Sequence, residues 1–251
     1  MRGCRLRGVV FLTFDVEPDA PPYQSSGRRG ITEGMPRILE LLDYKGIRAT
    51  FFVTAILARQ YPWLPEAILS GGHELASHGL DHSRLDKMPA KEAVENIAES
   101  LEILREHGEV VSFRAPNLQL PGEIVERLPQ LGVRVDSSIA VYKPGHPKVP
   151  HWRGSLLRLP ATATSSTIRL PGFLAVRTTL PGNRGFHVLF YHPWEFTRIA
   201  RKPFYRPDIW IRTGDYALRM LSRVIDVARA RGYRFALVRE APGLCKNGGG
   251  A

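Results

Sequence analysis

Two histidines, His78 and His82, stand four residues apart in "GGHELASHGLDHSRL", and two acids, Asp15 and Glu17, stand two apart in "TFDVE". Two imidazoles and one carboxylate suffice to hold a divalent metal, most often zinc, with positions left open for water and substrate. His78 and His82 can reach one ion if the chain turns helically between them. Glu17 can supply the carboxylate, which leaves Asp15 to act as a base. Residues two apart in a strand point to the same side, so both acids can face one mouth. Arg114 in "FRAP", Asp136 in "VDSS", and His192 and Glu195 in "FYHPWE" add a cation and further acid and imidazole groups. Each has a plainer reading. An i,i+4 histidine pair is commonly surface decoration, and Asp15 and Glu17 could cap a following helix. Arg114 could be a structural ion-pair partner, Asp136 a turn residue and His192 a satisfied core histidine. His73 reads as structural, and His107, before Gly108, as the end of a helix.

The elements that must position this set alternate between strand and helix. The continuous apolar run "VVFLTFD" is the mark of a strand buried on both faces. Further strands are expected at "RATFFVTA", "HELASH", "VVSFRAP", "VRVDSS", "FHVLFYH" and "YRFALVRE". Between them, "ITEGMPRILELLDYKGI" spaces Ile38, Leu41 and Leu42 helically and stops at Gly46. "YPWLPEAILSGG", "PAKEAVENIAESLEILREHG", "GEIVERLPQLG" and "TGDYALRMLSRVIDVARARG" are also helices. Such alternation implies a mostly parallel sheet with right-handed crossovers. Seven or eight units of this kind can close into a barrel, with an open doubly wound sheet as the alternative. In a barrel the carboxyl ends of the strands share one face. Five strand ends carry the acids, imidazoles and arginine above, a convergence hard to reach by accident. The stretch from about Ala140 to Gly185, rich in Pro, Gly, Thr and Ser, reads as a binding loop or a β insertion.

Composition narrows the partners. The 251 residues are 43% hydrophobic and 24% charged, values of a globular chain with a proper core; only the tail from Lys246 reads as disordered. The net charge of +11 is spread without a Lys/Arg run, which favours a solvated basic surface over a nucleic-acid partner. Arg outnumbers Lys 28 to 7, with four Asn and four Gln, a balance compatible with a thermophilic source. Neither GxGxxG after the first strand nor GxxxxGK[ST] occurs, so no nucleotide-binding motif is present. The N-terminal apolar run is too short for a signal peptide and no run reaches a membrane span, so a cytoplasmic protein is expected. Cys4 and Cys245 bracket the first and last expected strands; if these are parallel the cysteines lie at opposite ends, and no disulfide is expected unless the tail folds back.

In their order, "TFDVE", "HGLDH", "RAP", "VDSS" and "FYH" resemble the signatures of the NodB-homology polysaccharide deacetylases, carbohydrate esterase family four. Those signatures are an acidic "TFDD"-like motif, "H[ST]xxH", "RxP", an Asp-containing fourth motif and a late His after an apolar residue. The likeness runs from about Val9 to Glu195 and is nearest the exopolysaccharide-locus branch, which also includes cyclic-amide hydrolases. It implies a distorted (β/α) barrel of about seven parallel strands, a single catalytic domain over residues 1–251, and removal of N-acetyl groups from an amino-sugar glycan. By the resemblance, Glu17, His78 and His82 would bind the metal. Asp15 would take a proton from the attacking water, and His192 would protonate the departing amine. Arg114 would orient Asp15 and keep it ionised, and Asp136 would tune His192 toward its protonated form. The Asn117 backbone N–H would stabilise the oxyanion, Phe190 would help form the acetyl pocket, and Trp194 would stack on a sugar or belong to the core.

The departures from the family pattern bear on substrate more than on chemistry. Val16 separates the two acids, and Glu17 stands where an Asp is usual. Gly79 replaces a Ser or Thr, the fourth motif lacks its nearby Trp, and Asn117 replaces an aromatic residue. Two other readings remain open from sequence: a cyclic amide or imide hydrolase on the same fold, with or without a metal, and a non-catalytic glycan- or polyanion-binding barrel.

Overall fold

The computed structural model describes residues 2–20, 26–182 and 185–247. In chain order the strands are β1 (Arg2–Arg5), β2 (Val9–Val16), β3 (Thr50–Val53), β4 (Glu74–Ser77), β5 (Ser112–Phe113), β6 (Val135–Asp136), β7 (His151–Arg153), β8 (Leu156–Arg158), β9 (Phe186–Tyr191), β10 (Arg234–Phe235) and β11 (Lys246–Asn247). β2 is buried along its whole length, as its unbroken apolar run requires. It pairs in parallel with β9 over Val9–Phe14, leaving its other edge to β10 at Val9–Val10 and to β3 at Thr13–Val16. From β3 the parallel ladder continues through β4, β5 and β6 to β8.

Among the described residues no ladder joins β8 to β9, and Thr162 spans that gap. Its N–H donates to the Val188 carbonyl at 3.0 Å, and the Val188 N–H donates to its hydroxyl at 3.1 Å. The run β9-β2-β3-β4-β5-β6-β8 is thus a partial barrel of seven parallel strands, consistent with the distorted (β/α) barrel expected. The short β10 lies beside β2.

Helices pack the outside. Met35–Lys45 buries Met35, Ile38 and Leu42 and closes at Gly46, whose φ of 57° is the left-handed cap that glycine adopts without strain. Ala90–Arg105 buries Ala93, Ile97, Leu101 and Leu104 at helical spacing, and Asp215–Ala230 buries Ala217, Leu221, Val224 and Ala228. The stretch read as irregular contains the antiparallel β7–β8 hairpin and the helix Gly172–Thr179. The helix Ala55–Gln60 and the strands β1 and β11 are additions to the expected series. Among the described residues no helix is long and apolar enough to cross a membrane.

The termini overturn one expectation. β1 runs antiparallel to both β7 and β11, so the tail folds back over the start of the chain. Cys4 and Cys245 come within 5.3 Å at Cα and form a disulfide. Lys246 and Asn247, expected to be disordered, form β11; residues 248–251 of that tail lie outside the described residues. A cytoplasmic setting is compatible with such a bond chiefly in hyperthermophiles, whose cytosolic proteins retain disulfides.

Two buried histidines serve the scaffold. His73 Nδ1 accepts the Ala49 N–H at 3.3 Å, and His187 Nε2 meets the Tyr233 hydroxyl at 3.1 Å. Burial pushes both down to about 4, since a buried imidazolium loses its hydration. Between about pH 6.5 and 4 the unfolded chain therefore binds more protons than the folded one, and stability falls as pH is lowered through that window. Denaturant midpoints should drop from pH 7 to pH 4.5, and His73→Asn should shrink the drop; a slope identical to the parent's would show that His73 contributes nothing to it.

Candidate active site

At the carboxyl ends of the barrel strands, one arginine organises the interior. Arg114, just past β5, is fully buried and donates to Asp15 Oδ1 at 2.6 Å, to the Thr13 hydroxyl at 2.8 Å and to the Ser137 hydroxyl at 2.9 Å. Its guanidinium lies 4.1 Å over the Phe52 ring, a contact that partly replaces lost hydration. Thr13 and Asp15 alternate along β2 and so face the same side, and Glu17 follows on that side just beyond the strand.

Glu17 gathers three imidazoles. Its Oε2 lies 2.6 Å from His82 Nε2 and 3.3 Å from His78 Nε2, and its Oε1 lies 3.6 Å from His192 Nε2. Burial alone would raise its carboxyl. The facing charges of His192 and His82, with the bond from His82, overcome this and hold it well below the ordinary carboxylate range. The ligand atoms of Glu17, His78 and His82 all lie within 4.8 Å of one another.

The donor set can be tested against a divalent cation on the His78 ring. Its Nδ1 stands 2.7 Å from the Arg114 carbonyl, which can only accept, so that nitrogen carries the proton. In the neutral ring Nε2 then presents its lone pair toward the Glu17 carboxylate. Two electron-rich atoms facing each other in a buried site call for a cation between them, and a backbone-fixed tautomer is what metal-binding imidazoles show. The residues fit the group.

The i,i+4 pair meets by a different route from the helical turn expected. After β4 the chain turns through Gly79 at φ 81° and His82 at φ 69°, bringing the two rings to 5.4 Å. A residue with a Cβ is strained at the φ of Gly79, which accounts for glycine at this position.

His192 is held from behind by a carboxylate whose role the sequence reading missed. Glu195 is fully buried, accepts the His192 backbone N–H at 3.1 Å and lies 3.7 Å from His192 Nδ1. Arg169, from the stretch between β8 and β9, pairs with it at 3.0 Å. Burial would lower His192, but Glu17 and Glu195 outweigh that and raise it to about 9, which favours the protonated ring. The signal for Glu195 was its place three residues after His192, the spacing of a capping box, which the structure contains.

Asp136 is engaged elsewhere. It pairs with Arg158 at 2.6 Å and accepts the Ser138 N–H at 3.0 Å and the Ser138 hydroxyl. That hydroxyl in turn accepts the Ala115 N–H at 2.8 Å. Asp136 therefore props the Arg114–Asn117 turn rather than His192, because Glu195 and Glu17 occupy the positions beside that ring. Asn117 and Leu118 in this turn both sit in left-handed backbone, at φ 60° and 51°, and Lys143 Nζ donates to both of their carbonyls.

A cavity of about 740 Å³ opens over these groups, lined among others by Asp15, Glu17, His78, His82, Asn117 and His192. Phe190 and Trp194 also line it, the first edge-on to His192 at 5.7 Å and the second stacked on it at 5.3 Å. Arg28, Arg84, Tyr142 and Lys143, none singled out from sequence, reach its rim.

Comparison with known proteins identifies the family of the chain. The family model described as Polysaccharide deacetylase matches residues 2–135. A peptidoglycan-N-acetylglucosamine deacetylase of Bacillus cereus is 32% identical over 122 residues, 48% of this chain and 38% of that protein. A chitooligosaccharide deacetylase of Azorhizobium caulinodans is 28% identical over 128 residues, 50% of this chain and 55% of that one. The chain thus spans about two-fifths of the first relative's length and about half of the second's. A family 4 carbohydrate esterase from Streptomyces lividans, solved with acetate, superposes with a TM-score of 0.61 over 92% of each chain at 16% identity, a likeness of fold. With more than half of its length matched by the family model, and a fold like that of its structural neighbour, this chain belongs to the polysaccharide deacetylase family.

Proposed function

We propose that the protein is a metal-dependent hydrolase that removes N-acetyl groups from an N-acetylhexosamine-containing glycan. The observation that carries this reading is the convergence of Glu17, His78 and His82 within 4.8 Å on the floor of a cavity that Asp15 and His192 also face. The relatives named above act on peptidoglycan N-acetylglucosamine and on chitooligosaccharides, which supports an amino-sugar substrate here.

Glu17, His78 and His82 would hold the ion, zinc being the metal best suited to two imidazoles and a carboxylate. Such an ion supplies Lewis-acid polarisation of the acetyl carbonyl and activation of a water. The chain's own residues carry the proton traffic. Asp15, fixed by Arg114 at 2.6 Å, accepts the proton of the attacking water. The carbonyl carbon gains a C–O bond, and its oxygen takes negative charge facing the Asn117 N–H, in the turn that Lys143 and Asp136 brace. His192, protonated and aimed by Glu195, gives its proton to the nitrogen as the C–N bond breaks. Acetate and a free amine leave. Phe190 supplies an apolar wall for the acetyl methyl, and Trp194 backs His192 while offering its edge to the sugar.

Zinc titrated into chelator-treated protein should bind at one ion per chain, and His82→Ala should weaken that binding by more than ~10-fold. Equal affinity in the two proteins would remove the site. Metal-loaded protein should release acetate from N-acetylglucosamine oligomers, and Asp15→Asn should lower the rate about 10²–10⁴-fold while circular dichroism confirms the fold. No acetate from a broad panel of acetylated glycans would end the deacetylase reading. Glu195→Gln removes a charge that raises His192, so the alkaline limb of the rate profile should move to lower pH; an unmoved limb would deny Glu195 that role.

A further inference from the structure

A second cavity, of about 730 Å³, lies beside the catalytic one and is lined by Arg29, Arg198, Arg201 and Arg212 together with Trp210. Four guanidiniums around one concavity repel each other unless something neutralises them. Arg29 is paired outward with Glu33 at 2.7 Å. Among the described residues Arg198, Arg201 and Arg212 have no carboxylate within ion-pair distance, and the few residues outside that set include no Asp or Glu. Two of these cations lie over aromatic faces instead: Arg201 lies 5.5 Å over Trp210 and Arg212 lies 5.6 Å over Tyr216. Arg29 donates to the Arg198 carbonyl at 3.0 Å, which ties the two sides of the cavity together.

Three guanidiniums without a carboxylate partner match a ligand with more than one negative charge and several acceptor oxygens. A phosphoryl group, and a diphosphate above all, has both, and the guanidinium fork bonds its oxygens in pairs. The cavity is also coupled to the catalytic one. Arg28 lines the catalytic cavity and Arg29 the second. Trp194 of the catalytic wall shares one apolar cluster with Ile199 and Trp210 of the second. Phe204, three residues after Arg201 in the chain, is 90% exposed and follows Lys202, an apolar side chain near a cation, as a bilayer contact would use.

We infer that the Arg29–Arg198–Arg201–Arg212 cavity binds a phosphoryl group carried by the acetylated glycan, so that the protein acts on a diphosphate-linked N-acetylhexosamine. The anion site stands on its own geometry; its link to the glycan rests on the deacetylase reading. Inorganic pyrophosphate should bind the metal-free chain, measured by calorimetry, and Arg201→Gln/Arg212→Gln should weaken it at least ~10-fold. Arg177→Gln/Arg223→Gln, which removes the same charge outside the cavity, should leave it unchanged. Equal pyrophosphate affinity in the cavity variant and the parent overturns the site. Among substrates, a diphosphate-linked N-acetylglucosamine should show a lower KM than a neutral chitooligosaccharide, and the cavity variant should erase the difference without slowing the neutral substrate. A KM difference that survives in the variant, or none in the parent, overturns the link. No hydrolysis of either substrate, with pyrophosphate binding still dependent on the cavity arginines, would sink the deacetylase reading and leave the anion site standing. Two forms separate the sources: a nucleoside-diphosphate sugar, and a polyprenyl-diphosphate sugar in phosphatidylcholine vesicles. Phe204→Ser raising KM for the vesicle-borne form alone assigns the group to a lipid carrier, and equal KM changes assign it to a soluble one.

Discussion

The buried pair of Arg114 and Asp15 is the constraint on which the rest of the site depends. The arginine is fully buried and the carboxylate nearly so. Removing two charges from water costs several kcal/mol per ion, and their attraction repays it only where the remaining donors are satisfied. Thr13 and Ser137 satisfy the two terminal nitrogens, Phe52 covers the guanidinium face, and only Nε is left without a hydrogen-bond partner among the described residues. The same residue's carbonyl fixes the tautomer of His78. One side chain and one peptide group therefore set the aim of a carboxylate, orient an imidazole and tie β2, β5 and β6 together. Removing either member would leave a buried charge unpaired, at a cost of about 3–5 kcal/mol. That loss would fall on fold and site together.

A second constraint is charge balance at the mouth. Glu17 faces three imidazoles, and His192 lies between Glu17 and Glu195. Arg169 closes the series behind Glu195. The signs alternate through the buried series Arg114, Asp15, the imidazoles with Glu17, Glu195 and Arg169. A cation among Glu17, His78 and His82 would offset the Glu17 charge, leaving Glu195 as the separate carboxylate that favours the protonated form of His192. One cluster of like side chains can in this way hold neutral ligands and a charged acid at once.

Much of this was legible in the sequence, for specific reasons. The apolar run of β2, ending in Asp15 and Glu17, announces a buried strand whose functional groups emerge only at its end. His78, Arg114 and His192 are read the same way from neighbouring strands. What escaped was what depends on contacts distant in sequence. Asp136 sits at a strand end like the others, yet Arg158 from the adjacent β8 claims it. Arg169, which completes the Glu195 pair, comes from a stretch with no clear periodicity. The turn at Gly79 and His82 is invisible to spacing, because i,i+4 residues can meet through left-handed backbone as well as through a helix. The fold-back that joins Cys4 to Cys245 needs β1 and β11, strands too short to carry a hydrophobic pattern.

The arginine-rich composition acquires a spatial meaning from these contacts. Several arginines are neutralised where they pack: Arg114 by Asp15, Arg158 by Asp136, Arg169 by Glu195. These hold the site and contribute nothing to its outer field. The excess positive charge is therefore a property of the surface, and Arg198, Arg201 and Arg212 concentrate part of it beside the catalytic cavity, where no carboxylate among the described residues lines the wall. A substrate with an anionic handle would be drawn there at long range and then oriented at short range by guanidinium geometry, while the acetyl group meets the buried acids and imidazoles. Arginine serves both purposes because its guanidinium stays charged in either environment and stacks on aromatic faces. Lysine, more strongly hydrated and more easily neutralised on burial, would suit the interior poorly.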